Sequence, residues 1–565
     1  MPDHGETDPR LARTARPSEA YCPTMPEPPT HPHTQTPRPD AGPRRQAQAM
    51  GRRVGGGLSW LMVATAVVKV ASLANIAILG ILLGKDDFGI FGTAIGVAAL
   101  VNVLRDGGVR RILIQKGIHR FDGLVGPVYA WTLMLNVLAA IILCALGPVL
   151  ARVHDNDEYV MVMVTLGIAA GIYGPCMIYR AKLAMQYRYK AVAAMNASSS
   201  IVRYVAMIAL ALGDAGPLTF TWSLVISAAY EWLYGLYTTR DPLVRLRPKT
   251  RLWPAIWART KWLLLGAVAL ALLRQGDYLV LGFLLTENVM GVYVFAYMIG
   301  DQVMSLLASN LQQVLMPTMS AFQHDVKRHV ASVLRVSGAL TLVASGIAGG
   351  IAVTIDPLQQ IIWQSKWDGA VPAVQALALC FSLRLLVTVQ ESALSSTGRF
   401  RTQFLALLVQ GIGMAGVALV GGLLFPTEPG LIAAGVGLYF VIGVTGVAAW
   451  SLRSVGVPAR AFIASVLRPW GLLTALAIAI IIADHFVFNG AGGAADGGEE
   501  TSHGFVESLQ RLLLSGTTYA LAAALLARVL LPDTLRSILA IAPARAAKPA
   551  GALLRLKPSG TDDRG

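Results

Sequence analysis

Cysteine, acidic charge and soluble-type loops are what this chain has little of. Its four cysteines, Cys22, Cys144, Cys176 and Cys380, lie far apart with no CxxC pair. That spacing argues against a disulfide framework or a thiolate metal site. Three of the four fall in apolar runs, where cysteine packs as a small residue. Only 14% of the residues are charged, whereas soluble domains carry about 25%. No short segments alternate polar and apolar residues, which argues against a β-barrel. Residues 1–53 have no apolar core of the secretory-signal kind. Gly80 to Lys85 looks like a P-loop fragment. It has three residues between its glycines and Asp86 where Ser or Thr is needed, so ATP use has no support. Gly411 to Gly416 fits GxGxxG but sits inside an apolar run, which points to close helix packing rather than a dinucleotide. No cofactor is expected.

What the chain does have is apolar sequence. Hydrophobic residues make up 55%, in runs of about twenty, enough to cross a hydrocarbon core of about 30 Å. The fold class is an all-α polytopic membrane protein. Fourteen spans are expected near 58–83, 88–104, 125–150, 159–179, 191–213, 217–237, 262–285, 289–316, 331–355, 371–395, 402–425, 430–452, 462–483 and 508–531. The net charge of +15 is not one patch, so nucleic acid is not an expected partner. The loops after the even spans each carry from two to seven Lys plus Arg, and those after the odd spans only Lys85, Arg152 and Lys366. Basic residues stay on the cytoplasmic side, so both termini are expected there.

Residues 1–53 hold 11 of the 29 prolines and read as a disordered cytoplasmic tail. Met50 directly precedes the first run, and one reading makes it the true start. The remaining divisions are an N-terminal six-helix lobe (54–240), a basic cytoplasmic linker (241–261), a C-terminal six-helix lobe (262–453), helices 13 and 14 (454–531) and a basic tail (532–565). The linker includes Trp253 and Trp257 and is expected to lie in the interface.

One stretch organises these divisions. Leu79 to Phe91, LGILLGKDDFGIF, closes one apolar run, turns at Gly84 to Asp87 and opens the next. Leu79, Gly80, Leu82, Leu83 and Gly89 recur 202 positions later as Leu281, Gly282, Leu284, Leu285 and Gly291, and Phe91 returns as Tyr293. Arg188-Tyr189-Lys190 returns as Arg399-Phe400-Arg401 at an offset of 211. Spans 1 and 7 are six apart and so point the same way. The halves are parallel repeats about an axis along the membrane normal.

Residues 79–117 resemble the opening hairpin of bacterial polysaccharide transporters, the lipid-linked oligosaccharide (Wzx-type) flippases of the multidrug/oligosaccharidyl-lipid/polysaccharide superfamily. The likeness continues through YRAKLAMQYRYKAVA (179–193), RQGDYLVLGFLL (274–285) and SALSSTGRFRTQF (392–404), and covers roughly 58–452. The resemblance implies two six-helix lobes and alternating access. Its cargo would be an oligosaccharide on undecaprenyl pyrophosphate, moved across the bacterial inner membrane for surface polysaccharide, including lipopolysaccharide, biosynthesis. Expected partners are the lipid bilayer, that carrier, and the polysaccharide polymerase and glycosyltransferases of the same pathway.

Several charges fall well inside expected spans: Lys69, Arg203, Arg274, Asp277, Asp301, Arg384 and Glu391. Each costs about 2.5–3.5 kcal/mol at mid-span on insertion scales, so a wet cavity or a partner is required. The functional reading makes Lys69, Arg203, Arg274 and Arg384 a cationic cavity for pyrophosphate or an acidic sugar. Asp277, Asp301 and Glu391 support it, with Arg274–Asp277 and Arg384–Glu391 placed to pair along one helix face. The plainer reading is structural pairs between helices. Arg105, Arg110, Arg111, Arg180, Arg188 and Arg399 read as topology determinants in loops. A multidrug or peptidoglycan-precursor transporter on the same scaffold is the first alternative. A membrane glycosyltransferase using Asp86 and Asp87 is the second, against which a duplicated turn favours helix capping. The external segment 484–507 reads as a flexible linker.

Overall fold

The computed structural model describes residues 65, 67–106, 121–186, 188–240, 253–321, 325–489, 500–532 and 534. The expected tail 1–53, linker residues 241–252, the tail from 535, Arg110, Arg111 and residues 490–499 of the external segment lie outside them. The described residues form fourteen helices and no strand. They are α1 (Val67–Leu82), α2 (Lys85–Asp106), α3 (Phe121–His154), α4 (Glu158–Met185), α5 (Tyr189–Leu212), α6 (Leu218–Thr239) and α7 (Trp253–Gly282). The second series is α8 (Glu287–Ala321), α9 (Val326–Trp363), α10 (Asp368–Ser396), α11 (Phe400–Leu424), α12 (Pro429–Val455), α13 (Ala459–Asp484) and α14 (Glu500–Leu530).

Among the described residues eleven are long and apolar enough to span and α1 is shorter; the other two are α6 and α8. Those two carry Glu231 and Asp301. Trp253 and Trp257 belong to the first turns of α7, and the Trp253 ring meets Trp131 of α3 at 5.5 Å.

The helix ends follow local chemistry. Asp87, in the first turn of α2, reaches back and accepts from the Gly84 backbone N–H at 2.7 Å. An N3 carboxylate capping the N-cap amide does the same work, so Asp87 has a structural task. Asp325 accepts from the Arg328 amide at 3.1 Å and starts α9.

The repeat is visible as reciprocal packing. A methyl group added at Gly89 would run into the Glu287 carbonyl, and one added at Gly291 into the Lys85 carbonyl. Adding 202 to Gly89 gives Gly291, and adding it to Lys85 gives Glu287. A Cβ at Gly80 would press on Phe295, and one at Gly282 on Thr93, which is the same exchange at the same offset. Each hairpin therefore packs on its copy about a pseudo-two-fold axis. Lipid tails supply no hydrophobic drive between helices, so close contact through small residues is what holds them. The second echo holds too: Arg188 and Arg399 share φ −83°, ψ 53°. Their amides bond to the Leu183 and Leu394 carbonyls at 3.0 and 2.9 Å, again 211 apart. The fold is two parallel-repeat six-helix lobes, α1–α6 and α7–α12, followed by the helix pair α13–α14.

An aromatic core joins the lobes on the face where α1 turns into α2. Phe88 of α2 contacts Phe220, Phe295 and Trp367 at 5.0–5.6 Å, and Phe295 stacks on Trp367 at 3.9 Å. All four rings are buried.

Candidate functional site

Two polar centres lie inside the bundle, one in each lobe. The first is a cavity of about 300 Å³ among α2, α4, α5 and α6. Arg105, Arg180 and Arg203 line it, with Tyr173 and Glu231. Arg180 grips Glu231 through Nε and Nη2, and its Nη1 donates to the Tyr173 hydroxyl at 3.2 Å. The Arg105 guanidinium sits 4.3 Å from the Tyr173 ring centre, and its Nη1 donates to Asn102 at 2.8 Å. Arg203 differs. Its Nε is buried without a partner, and among the described residues it has no ion pair. Ser199 and Ser200 beside it turn their hydroxyl protons to the Asn196 carbonyl at 3.2 and 2.9 Å. Their oxygens can only accept further. The cavity thus holds three guanidiniums and one carboxylate.

The second centre lies where α7, α8 and α10 meet. Arg384 falls in a short 3₁₀ turn, Ser382–Arg384, that interrupts α10. Its Nη1 donates to Asp301 at 2.7 Å and to the Tyr297 hydroxyl at 2.8 Å. That hydroxyl donates to the Arg274 carbonyl at 2.8 Å. Asp277 is wholly buried, accepts from the Tyr293 hydroxyl at 2.7 Å, and leaves its second oxygen without a partner. Lys69 of α1 is half-buried and lies in electrostatic reach of Asp301. Here cations and carboxylates balance.

Several expectations change. Arg274 and Asp277 do not pair. The backbone leaves helical geometry at Gln275 (φ −142°, ψ 15°), which breaks the i,i+3 register. Asp277 turns inward to Tyr293, while the Arg274 side chain is exposed. Arg384 does not take up Glu391, which is half-buried. The 3₁₀ turn rotates the arginine toward Asp301. Of the four expected cavity cations, Arg203 lies in the first centre, Arg384 and Lys69 belong to the second, and Arg274 is exposed and belongs to neither. Arg105 and Arg180, expected in loops, lie within α2 and α4, on the cavity wall. Glu231 was absent from the expected intramembrane charges. Its position inside the expected span 217–237 was the signal that could have found it.

A two-lobed helical bundle with charged groups in its interior is the architecture of a multi-span membrane transport protein. Solved structures of that kind share the fold. A lipid II flippase, MurJ, in an inward closed conformation aligns with TM-score 0.62 at 11% identity, over 83% of this chain and 98% of its own. A multidrug resistance MATE family transporter in an inward-facing conformation aligns with TM-score 0.53 at 14% identity, over 70% and 98%. Residues 78–372, just over half of the chain, match the family described as polysaccharide biosynthesis protein, and the chain belongs to that family. Among curated relatives, the lipopolysaccharide biosynthesis protein WzxC of Escherichia coli (strain K12) is 20% identical over 359 residues, 62% of this chain and 71% of its own. The teichuronic acid biosynthesis protein TuaB of Bacillus subtilis (strain 168) is 22% identical over 378 residues, 66% and 78% respectively.

Proposed function

We propose that this protein is a flippase that carries a lipid-linked oligosaccharide, on undecaprenyl pyrophosphate, across the bacterial inner membrane for surface polysaccharide biosynthesis. The observation that carries the reading is Arg203: a guanidinium inside a membrane bundle, on a cavity wall, with no counter-ion among the described residues. A bare charge in that medium costs several kcal/mol unless water or an anion meets it. Two more guanidiniums face the same 300 Å³ space. Arginine forks suit phosphate oxygens and acidic sugars. The polyprenyl tail would stay in lipid while the head passes through the protein. Rocking of the two lobes about the pseudo-two-fold axis would open the path to each side in turn.

The binding set is Arg105, Arg180 and Arg203. Lys69 and Arg384, held near Asp301, take a secondary part. The basic even loops put both termini in the cytoplasm. The glycosyltransferases that build the head and the polymerase that extends it are the natural neighbours in the pathway. A cation-exporting drug transporter would line its cavity with excess carboxylate, the opposite of what surrounds Arg203. The test is surface glycan export in cells carrying Arg203→Ala. Loss of export at normal protein level supports the reading; unchanged export removes it.

A further inference from the structure

On the face where α1 turns into α2, the connection from α9 to α10 reaches across to the end of α1. The Trp363 indole N–H donates to the Ala77 carbonyl at 2.9 Å, and the Trp367 indole N–H to Gly80 at 2.9 Å. The Lys366 ammonium donates to Ile81 at 3.0 Å and Leu83 at 2.7 Å. Carbonyls in the last turn of a helix have no partner of their own. Here Lys366 and Trp367 of the opposite lobe supply one at Gly80, Ile81 and Leu83, and Trp363 adds a donor one turn further in, at Ala77, so α1 is held from across the lobe boundary. Gly80 permits the approach, since a Cβ there would press into the Trp363 indole.

The backbone that aims these donors is strained. Gln364 (φ 49°) and Ser365 (φ 64°) are consecutive non-glycine residues in the left-handed region. Such residues persist only where surrounding contacts hold them, and they cluster at clamps and switches. Gln359 anchors the far end through Asp368. The pseudo-equivalent corner of the other lobe is treated differently. Among the described residues, the α3–α4 connection gives it Asn156, which bonds the Glu287 carboxylate at 3.0 and 3.2 Å rather than a helix-end carbonyl. One corner is gripped by three side chains of the other lobe, and its copy is not.

We propose that segment 363–368 is a sprung latch: Trp363, Lys366 and Trp367 hold this face shut by capping α1, and the backbone strain at Gln364 and Ser365 is relieved when it lets go. The inference rests on alternating access, and its test reads opening separately from transport. Leu83, 3% exposed, is changed to Cys, and the full chain in proteoliposomes is treated with a membrane-impermeant maleimide. Labelling is corrected for the protein without that cysteine. Trp363→Phe, Lys366→Met and Trp367→Phe keep bulk and remove the donors. Each is expected to speed labelling at Leu83→Cys several-fold, and the three together by more. Gln364→Gly with Ser365→Gly removes the strain, because glycine occupies the left-handed region freely, and is expected to slow labelling. Asn156→Ala should leave the rate within twofold. Native Cys176, wholly buried in the first lobe, reports misfolding and should stay unlabelled throughout. Donor-less variants labelled at the parental rate, or a glycine pair labelled faster, overturn the latch. Surface glycan export is measured in parallel. Shifted labelling with export unaffected by Arg203→Ala keeps the latch and removes the flippase reading.

Discussion

The two lobes share a backbone and differ in what they bury. Arg188 and Arg399 have the same dihedral angles, and Gly89 and Gly291 make reciprocal contacts on each other's hairpin. Yet the first lobe encloses three guanidiniums with one carboxylate, and the second neutralises Arg384 with Asp301 and keeps Asp277 beside it. Packing positions are constrained by geometry: a glycine facing a carbonyl tolerates nothing larger. Charged positions answer to a ligand or to a partner, and in a duplicated scaffold each lobe is free to choose. An unpaired cation marks the lobe that waits for something from outside the chain.

The sharpest way to break this contrast is to remove each arginine and read both stability and transport. Arg203→Met should lower export roughly ten- to a hundredfold, the loss of a charge-assisted hydrogen bond of about 1.5–3 kcal/mol. It should leave the protein as stable as before or more so, since a bare buried charge disappears. Transport of a labelled lipid-linked oligosaccharide in proteoliposomes and the melting temperature in detergent measure the two effects. If Arg203→Met melts well below the parent, the arginine has a structural partner and the contrast fails.

Arg384→Met should cost stability instead. It leaves Asp301 without its cation and Tyr297 without its donor. The arginine is 16% exposed and the aspartate 36%. The cost should therefore fall below the 3–5 kcal/mol of a fully buried pair, at about 2–3 kcal/mol. Adding Asp301→Asn should recover part of that loss. A double variant as unstable as the single would show that the ion pair is not what holds α8 to α10.

The pseudo-two-fold itself is open to test. Gly89→Ala and Gly291→Ala each drive a methyl group into the opposite hairpin's carbonyl. Each should cost about 1–3 kcal/mol, the usual price of overpacking, and by similar amounts. Melting curves of the two variants side by side check this. A large effect at one and none at the other would mean that the hairpins are not equivalent neighbours.

Much of this was legible in the chain. Spans read clearly because length and apolarity are additive properties of a segment, and the 202-residue echo read clearly because its glycines answer to contact geometry. Three things were not legible. Arg105 and Arg180 stand at span ends, where basic residues usually report topology, and the helices run past the expected boundaries. The Arg274–Asp277 pair assumed an unbroken helix, and the one local hint that the backbone departs at Gln275 is the neighbouring Gly276, a residue common inside spanning helices. Trp363, Lys366 and Trp367 donate to backbone carbonyls, which leave no side-chain signature in the segment they bind.

The smallest expected effect concerns Glu231, the one carboxylate among three guanidiniums. It holds Arg180 in place and offsets part of the cavity's charge. Glu231→Gln removes the offset and keeps the shape. If the cavity waits for an anion, inorganic pyrophosphate should then raise the melting temperature more than it does in the parent, because binding to the folded state stabilises by mass action. The gain should be modest, since Arg180 also loses the anchor that aims it. Arg203→Met should show the opposite, little stabilisation at the same concentration. Equal weakening in both variants would mean that Glu231 builds the site by positioning Arg180, and that aim rather than net charge separates the two lobes.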